Sequence, residues 1–204
     1  MRLYHHPMSA NSRRAVMTAL HLEVKVEKVL VDLAKREQRT PEFLRLNPNG
    51  HVPVLDDGGF VLWESNAIMQ YLADQTPGQT VYPQELQARA DVNRWLFWSA
   101  HHWTPSISIL GWENFVKQLI GQGPPDPATV KRGEGLVTEL VGILDAHLAG
   151  KAWVAQGMLT LADLALAAPL MAIVPAKLPV AGRPNLLAWF DRVQALDAWK
   201  KTSL

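Results

Sequence analysis

Near residue 76 the chain stops alternating between strand-like and helix-like runs and reads as helical to its end. Before that point, β-like runs at residues 3–5, 24–31, 52–55 and Phe60–Trp63 are interleaved with helix-like runs at 13–22, 40–46 and 66–73. The order β-α-β-α-β-β-α predicts an α/β layer with a parallel pair built by the early βαβ unit. Asp57-Gly58-Gly59 between two apolar runs signals a tight hairpin, so the last two strands are predicted antiparallel. A polar linker, Thr76-Pro77-Gly78-Gln79-Thr80, follows. Beyond it Val92, Trp95, Leu96, Ser99 and Trp103 share one helical face, as do Leu186, Phe190 and Val193. Pro41, Pro127 and Pro184 each suit a first helical position. The expected organisation is an α/β domain at 1–76, a linker at 77–84 and an all-helical domain at 85–204.

Composition narrows the chemistry. With Cys 0, no disulfide, thiolate zinc site, iron–sulfur cluster or cysteine nucleophile can exist. Twenty Lys and Arg against nineteen Asp and Glu leave a net charge of +1, which argues against nucleic acid or an anionic membrane as the main partner. The start MRLYHHP has no apolar signal region, and no run approaches the ~20 apolar residues of a membrane span. A cytoplasmic, soluble protein is expected. His101-His102 are adjacent, so on a helix they point different ways, and no metal site is expected.

Four local motifs stand in order along the chain: Pro7-Met8-Ser9-Ala10-Asn11, Asn47-Pro48-Asn49-Gly50-His51-Val52-Pro53, Glu64-Ser65-Asn66-Ala67-Ile68, and Thr160-Leu161-Ala162-Asp163. Each has a local physical reading. A proline entering a strand belongs at a start or an edge. A serine ahead of a helical run is an N-cap, and free N–H groups at a helix start attract carboxylates. Thr160 and Asp163 form a capping-box pattern, which is folding chemistry; losing the Asp163 contact is expected to cost about 1 kcal/mol.

In this order and at these separations the motifs resemble those of the cytosolic glutathione transferases, over the whole chain, and most closely the serine-using phi-, theta- and delta-like members. The resemblance implies a thioredoxin-like N-terminal domain with a glutathione site, joined to an all-helical domain. It implies a cis bond before Pro53, which would leave the Val52 N–H and C=O facing outward to hold the cysteinyl backbone as an added strand. Ser65, as N-cap, suits the γ-glutamyl carboxylate and Glu64 its ammonium. By position Gln38, Arg39 and His51 match contacts to the glycine end. Asn66 departs from the arginine that many relatives carry.

A free thiol titrates near about 8.5, so the enzyme must stabilise the thiolate without supplying one. A hydroxyl donor at a helix N-terminus does this by hydrogen bonding and dipole. A shift of about two units corresponds to roughly 2.7 kcal/mol. Ser9, five residues before Arg14 as in the phi-type members, is the expected donor; Ser12, Asn11 and Tyr4 are its rivals. The resemblance further implies a hydrophobic electrophile, with Met8, His102, Trp103 and Trp112 as pocket candidates. It implies a detoxifying role, a homodimer with Asn66 near the interface, and glutathione as cosubstrate with no permanent cofactor. Alternatives are a non-catalytic binding or assembly module that keeps the fold, and a glutathione-dependent isomerase, dehalogenase or peroxidase.

Overall fold

The fold is that of a computed structural model, which describes residues 1–203. Residues 1–82 form one compact unit together with 196–203, and Pro83–Ala195 form a second. The helical domain expected to run to 204 therefore stops at Ala195, and the chain's last residues return to the first unit.

In the first unit β1 (Arg2–His5), α1 (Ala10–His21), β2 (Glu27–Leu30), α2 (Pro41–Leu46), β3 (Val54–Asp57), β4 (Phe60–Trp63) and α3 (Ser65–Asp74) follow in the predicted order. The sheet order is β2-β1-β3-β4, with β1 and β2 parallel and the other pairs antiparallel. Gly58 and Gly59 take φ of +61° and +99°, which allows the two-residue turn that pairs Asp57 with Phe60. The predicted strand at 24–31 is shorter than its apolar run, because Glu23 at φ +55° and the bond from the Val24 N–H to the Ala19 carbonyl end α1 there first.

Successive residues of a strand face opposite ways, and two cores result. Leu3 and Leu55 join Ala15, Val16 and Ala19 of α1 and Ile68 and Leu72 of α3. Their neighbours Tyr4 and Val54 join Phe43 of α2 on the other face, with Val31 and Val52.

The second unit opens with one continuous helical stretch: α4 (Leu86–Trp98), a π-helical turn at Ser99–Trp103, α5 (Thr104–Gly111), a second π turn at Trp112–Val116, and α6 (Lys117–Leu119). Then come α7 (Pro127–His147), α8 (Leu161–Ala167) with a 3-10 turn at Ala168–Ala172, and α9 (Pro184–Ala195). Every residue of α8 is buried, and α4 packs on it. Within the first π turn, Ser99 and Trp103 both bond carbonyls of α8, Trp103 donating its indole N–H to Leu166 at 2.9 Å. Pro41, Pro127 and Pro184 are each the first residue of their helix. Finally α10 (Asp197–Lys200) packs on α1 in the first unit.

Candidate active site

Register assembles the site. Tyr4 pairs with Val54 and Val54 with Trp63, so these three residues form one row across the sheet. The chain leaves β1 beyond that row, enters β3 there, and leaves β4 there. Residues 6–9, Val52-Pro53 and Glu64-Ser65 therefore gather at one end of the sheet, although they are far apart in sequence. Both α1 and α3 begin at that end, so two helix N-termini with free N–H groups face the same region.

Ser9 is the N-cap of α1, with extended backbone at φ −91° and ψ 115°. Its Oγ accepts the Ser12 N–H at 3.2 Å. The hydroxyl proton has no acceptor among the described residues, so the half-buried group can still donate outward. The loop before it is pinned at His6, whose carbonyl accepts the Ser9 N–H at 3.0 Å and whose Nδ1 accepts the Met8 N–H at 3.2 Å. Ser12 is different. It is fully buried inside α1, and its Oγ accepts the His6 N–H at 3.2 Å. Tyr4 lies on the α2 face of the sheet, edge-on to Phe43 at 6.3 Å. Asn11 is exposed on the first turn of α1.

The peptide bond between Val52 and Pro53 is cis. Neither the N–H nor the C=O of Val52 has a hydrogen-bond partner among the described residues. The preceding turn is fixed by Asn47, which is 3% exposed; its Nδ2 donates to the His51 carbonyl at 2.7 Å and its Oδ1 accepts the Asn49 N–H at 3.0 Å. Arg39 lies against this turn, donating to the Asn49 carbonyl at 3.2 Å. Gly50 sits at φ +63°, and a Cβ there would fall 2.7 Å from Arg39 Nη1. The Gln38 Oε1 is buried and has no partner among the described residues, and His51 is exposed.

At α3 the sequence expectation is shifted by one residue. Glu64, not Ser65, occupies the N-cap position, and Ser65 is the first helical residue. The cause is the backbone of Glu64 at φ +73° and ψ 111°, a conformation a side-chain-bearing residue adopts at a cost. The Glu64 carboxylate makes no capping bond and is exposed. The Ser65 hydroxyl makes no hydrogen bond among the described residues. Beneath them lies Arg14, 2% exposed, which donates to Asn66 Oδ1 at 3.1 Å. Burial pushes the Arg14 guanidinium down to about 10, against the attraction of the Glu64 charge.

This end of the sheet thus offers a hydroxyl donor, an open strand edge, a serine at a helix start and a free carboxylate, all in one unit. A match to the family model "Glutathione S-transferase, N-terminal domain" covers residues 1–74, and one to "Glutathione S-transferase, C-terminal domain" covers 104–197. The chain belongs to the glutathione S-transferase family. It is 33% identical to glutathione S-transferase F10 of Arabidopsis thaliana, over 97% of this chain and 94% of that protein. It is 36% identical to glutathione S-transferase 3 of Zea mays, over 99% and 92%. The crystal structure of glutathione transferase F7 from Populus trichocarpa superposes with a TM-score of 0.89 at 27% identity, covering 98% of this chain and 96% of that one. The four-stranded mixed sheet with its helices is the thioredoxin-like domain of that family, followed by its helical domain.

In this glutathione S-transferase the candidate pocket side chains part company. Met8, His102 and Trp112 are exposed. Trp103 is not: it is fully buried, and its indole N–H is held by Leu166. Helical periodicity at 95–103 cannot tell a core residue from a pocket residue when a π turn rotates the register. Asn47, Arg13 and Arg14 are the residues sequence reasoning left without a role. Two adjacent arginines opening the otherwise mostly apolar helix-like run at 13–22 are the signal that would have found the last two.

Proposed function

We propose that the chain is a glutathione transferase in which Ser9 holds the glutathione sulfur as thiolate for attack on a hydrophobic electrophile. The observation that carries this reading is Ser9 itself. Its oxygen already accepts a helix N–H, which polarises the O–H, and that O–H has no acceptor among the described residues. A thiolate placed there gains a charge-assisted hydrogen bond at the positive end of α1. Ser12 is less suited because it is buried and bonded to His6, and Tyr4 because it lies on the other face of the sheet.

The rest of glutathione follows by chemistry. The open Val52 backbone takes the cysteinyl residue like an added strand. Ser65 and the N–H groups of α3 take the γ-glutamyl carboxylate, and Glu64 takes its ammonium. Gln38, Arg39 and His51 lie on the turns assigned to the glycyl end, with Pro53 shaping the strand entry. Rate comes from forming the nucleophile and holding it near the electrophile; no bound cofactor is required. Of the electrophile candidates we keep Met8 in the first unit and His102 and Trp112 in the second, each exposed within its own unit, and set aside the buried Trp103. A cytoplasmic homodimer completes the reading.

The test is steady-state conjugation of an activated aryl halide by wild type and Ser9→Ala. If Ser9 lowers the thiol pKa by about two units from about 8.5, the variant loses about 25-fold in kcat/KM at pH about 7, approaching about 100-fold only on the acid limb, with the pH profile displaced upward. A Ser9→Ala enzyme as fast as wild type moves the role to Asn11 or Ser12.

A further inference from the structure

Arg13 is 5% exposed, yet among the described residues its side chain's acceptors are all neutral groups from one short stretch at the other end of the chain. Its Nε donates to Thr202 Oγ1 at 3.2 Å, and its Nη2 to the Trp199 carbonyl at 3.2 Å and to Ser203 Oγ at 3.3 Å. The guanidinium carbon stands 3.7 Å over the Trp199 ring. The two hydroxyls are prepared for it: Thr202 donates to Ala198 and Trp199 carbonyls and Ser203 to that of Trp199, so their lone pairs remain for the guanidinium. Burial pushes the Arg13 guanidinium down to about 10, so the charge is held there against its desolvation. An apolar side chain would cover Trp199 without that opposition.

The backbone of the same residue faces the site. The Arg13 N–H donates to the Ser9 carbonyl at 2.8 Å, the bond that closes the turn Ser9 caps. One residue therefore grips Ser9 through its main chain and residues 199–203 through its side chain. We propose that Arg13 is a positioning residue for catalysis: docked against Trp199, Thr202 and Ser203, it fixes the first turn of α1 and with it the direction of the Ser9 hydroxyl. The inference rests on the reading of Ser9 as the thiolate donor. The planar fork matters, because three acceptors and a ring are engaged in one geometry that a lysine cannot reproduce. Small misplacements of a donor in such a site lower rate far more than they lower binding.

The experiment uses the full chain in four forms beside wild type: Arg13→Lys, the double variant Thr202→Val/Ser203→Ala, Ser9→Ala, and Ser9→Ala combined with Arg13→Lys. Each is read by the pH profile of kcat/KM for the aryl halide, by KM for glutathione, and by thermal unfolding. Arg13→Lys and the double variant are expected to raise the apparent thiol pKa by about half to one unit. That is about a 1.5- to threefold loss at pH about 7, growing to about three- to tenfold on the acid limb of the profile, with KM for glutathione unchanged. On the Ser9→Ala background Arg13→Lys should add no further shift. A lower melting temperature with an unmoved pH profile in both Arg13→Lys and the double variant overturns the proposal, leaving Arg13 a stability residue. Should Arg13→Lys fail to fold, the double variant, changed only at two residues of the last turn, decides alone. If Ser9→Ala itself leaves the profile unmoved, the reading of Ser9 has failed. If Ser9→Ala shifts it and the other variants do not, only the positioning role has failed.

Discussion

Glu64 stands where backbone conformation and ligand chemistry make opposite demands. Its φ of +73° is one that a glycine adopts freely and a glutamate adopts at a cost of about 1–3 kcal/mol. Its exposed carboxylate is the group assigned to the ammonium of the γ-glutamyl end. Two variants separate the demands. Glu64→Gln keeps the strained backbone and loses the charge; Glu64→Gly loses both. Both should raise KM for glutathione by about tenfold, the scale of one partly solvated charged hydrogen bond. Only Glu64→Gly should also unfold at a higher temperature than Glu64→Gln, since loss of the attraction to Arg14 is common to the pair. If the two melt together, the backbone at residue 64 is not strained. Most of the site's residue types were legible in the sequence, because a helix start, a strand edge and an acid next to a serine are local patterns. The one-residue shift from Ser65 to Glu64 at the cap was not legible, because it depends on how β4 delivers the chain to α3, and no propensity encodes that.

Helices of the second unit show how neighbours decide the sign of a substitution. Gly133 and Gly135 lie two residues apart in α7. A Cβ on Gly133 would meet Leu110 Cδ2 at 2.9 Å and Ile109 Cγ2 at 3.0 Å, whereas a Cβ on Gly135 would meet nothing within 4 Å. Gly135→Ala should stabilise by about 0.5–1 kcal/mol through reduced chain entropy. Gly133→Ala should destabilise by about 1–3 kcal/mol, because the α5 contact must give way. Urea unfolding of the two single variants checks both; equal effects would mean that the α5–α7 approach is looser than described. Asp163 makes the same point for polar groups. As a capping residue its loss is a matter of about 1 kcal/mol. In the structure its carboxylate, fully buried, accepts the N–H groups of Val154 at 2.9 Å and Thr160 at 2.8 Å, the Trp189 indole at 2.8 Å and the Thr160 hydroxyl at 3.1 Å. Asp163→Ala orphans these buried donors and should cost about 3 kcal/mol, read by chemical denaturation. A loss near the capping value would show that the Val154 and Trp189 bonds contribute little. The Thr160–Asp163 spacing is visible in sequence; the bond to Trp189, twenty-six residues away, is not.

For the molecule as a whole, titration runs mostly one way. Burial lowers the pKa of His21 and, with Lys28 and His6 nearby, that of His5. Asp56 is lowered by the Gly59 N–H and Arg2, Glu113 by the Asp126 N–H and Lys117, and Asp126 by Thr129. In each case the unfolded chain binds the proton more readily, so stability is lost as pH falls through the folded value. The histidines act first, below about 6.5, and the carboxylates below about 4. Asp163 opposes them: burial raises its pKa, so protonation relieves it. The urea midpoint should fall from pH about 7.5 to 5.5 and fall further by pH about 3.5. A midpoint that rises on acidification would contradict these assignments. At this scale the two-part pattern was legible in the sequence, since a break in periodicity near residue 76 is a property of the residues themselves. That 196–203 belong with the first part was not: α10 reads as one more helix after the second unit, and it is its packing on α1, with the bonds to Arg13, that places it with the first.

That return has a consequence for synthesis. The first unit is begun at residue 1 and finished only by residues 196–203, with the 113 residues of Pro83–Ala195 made in between. At about 5–20 residues per second, the ribosome leaves α1 without its last partner for roughly 10–35 seconds. Through that interval the Arg13 side chain has none of its final acceptors. A nascent chain stalled before residue 196 should therefore carry a first unit cut more readily by protease than the same unit in the released protein, and the turn that presents Ser9 would be among the last parts of the molecule to be locked.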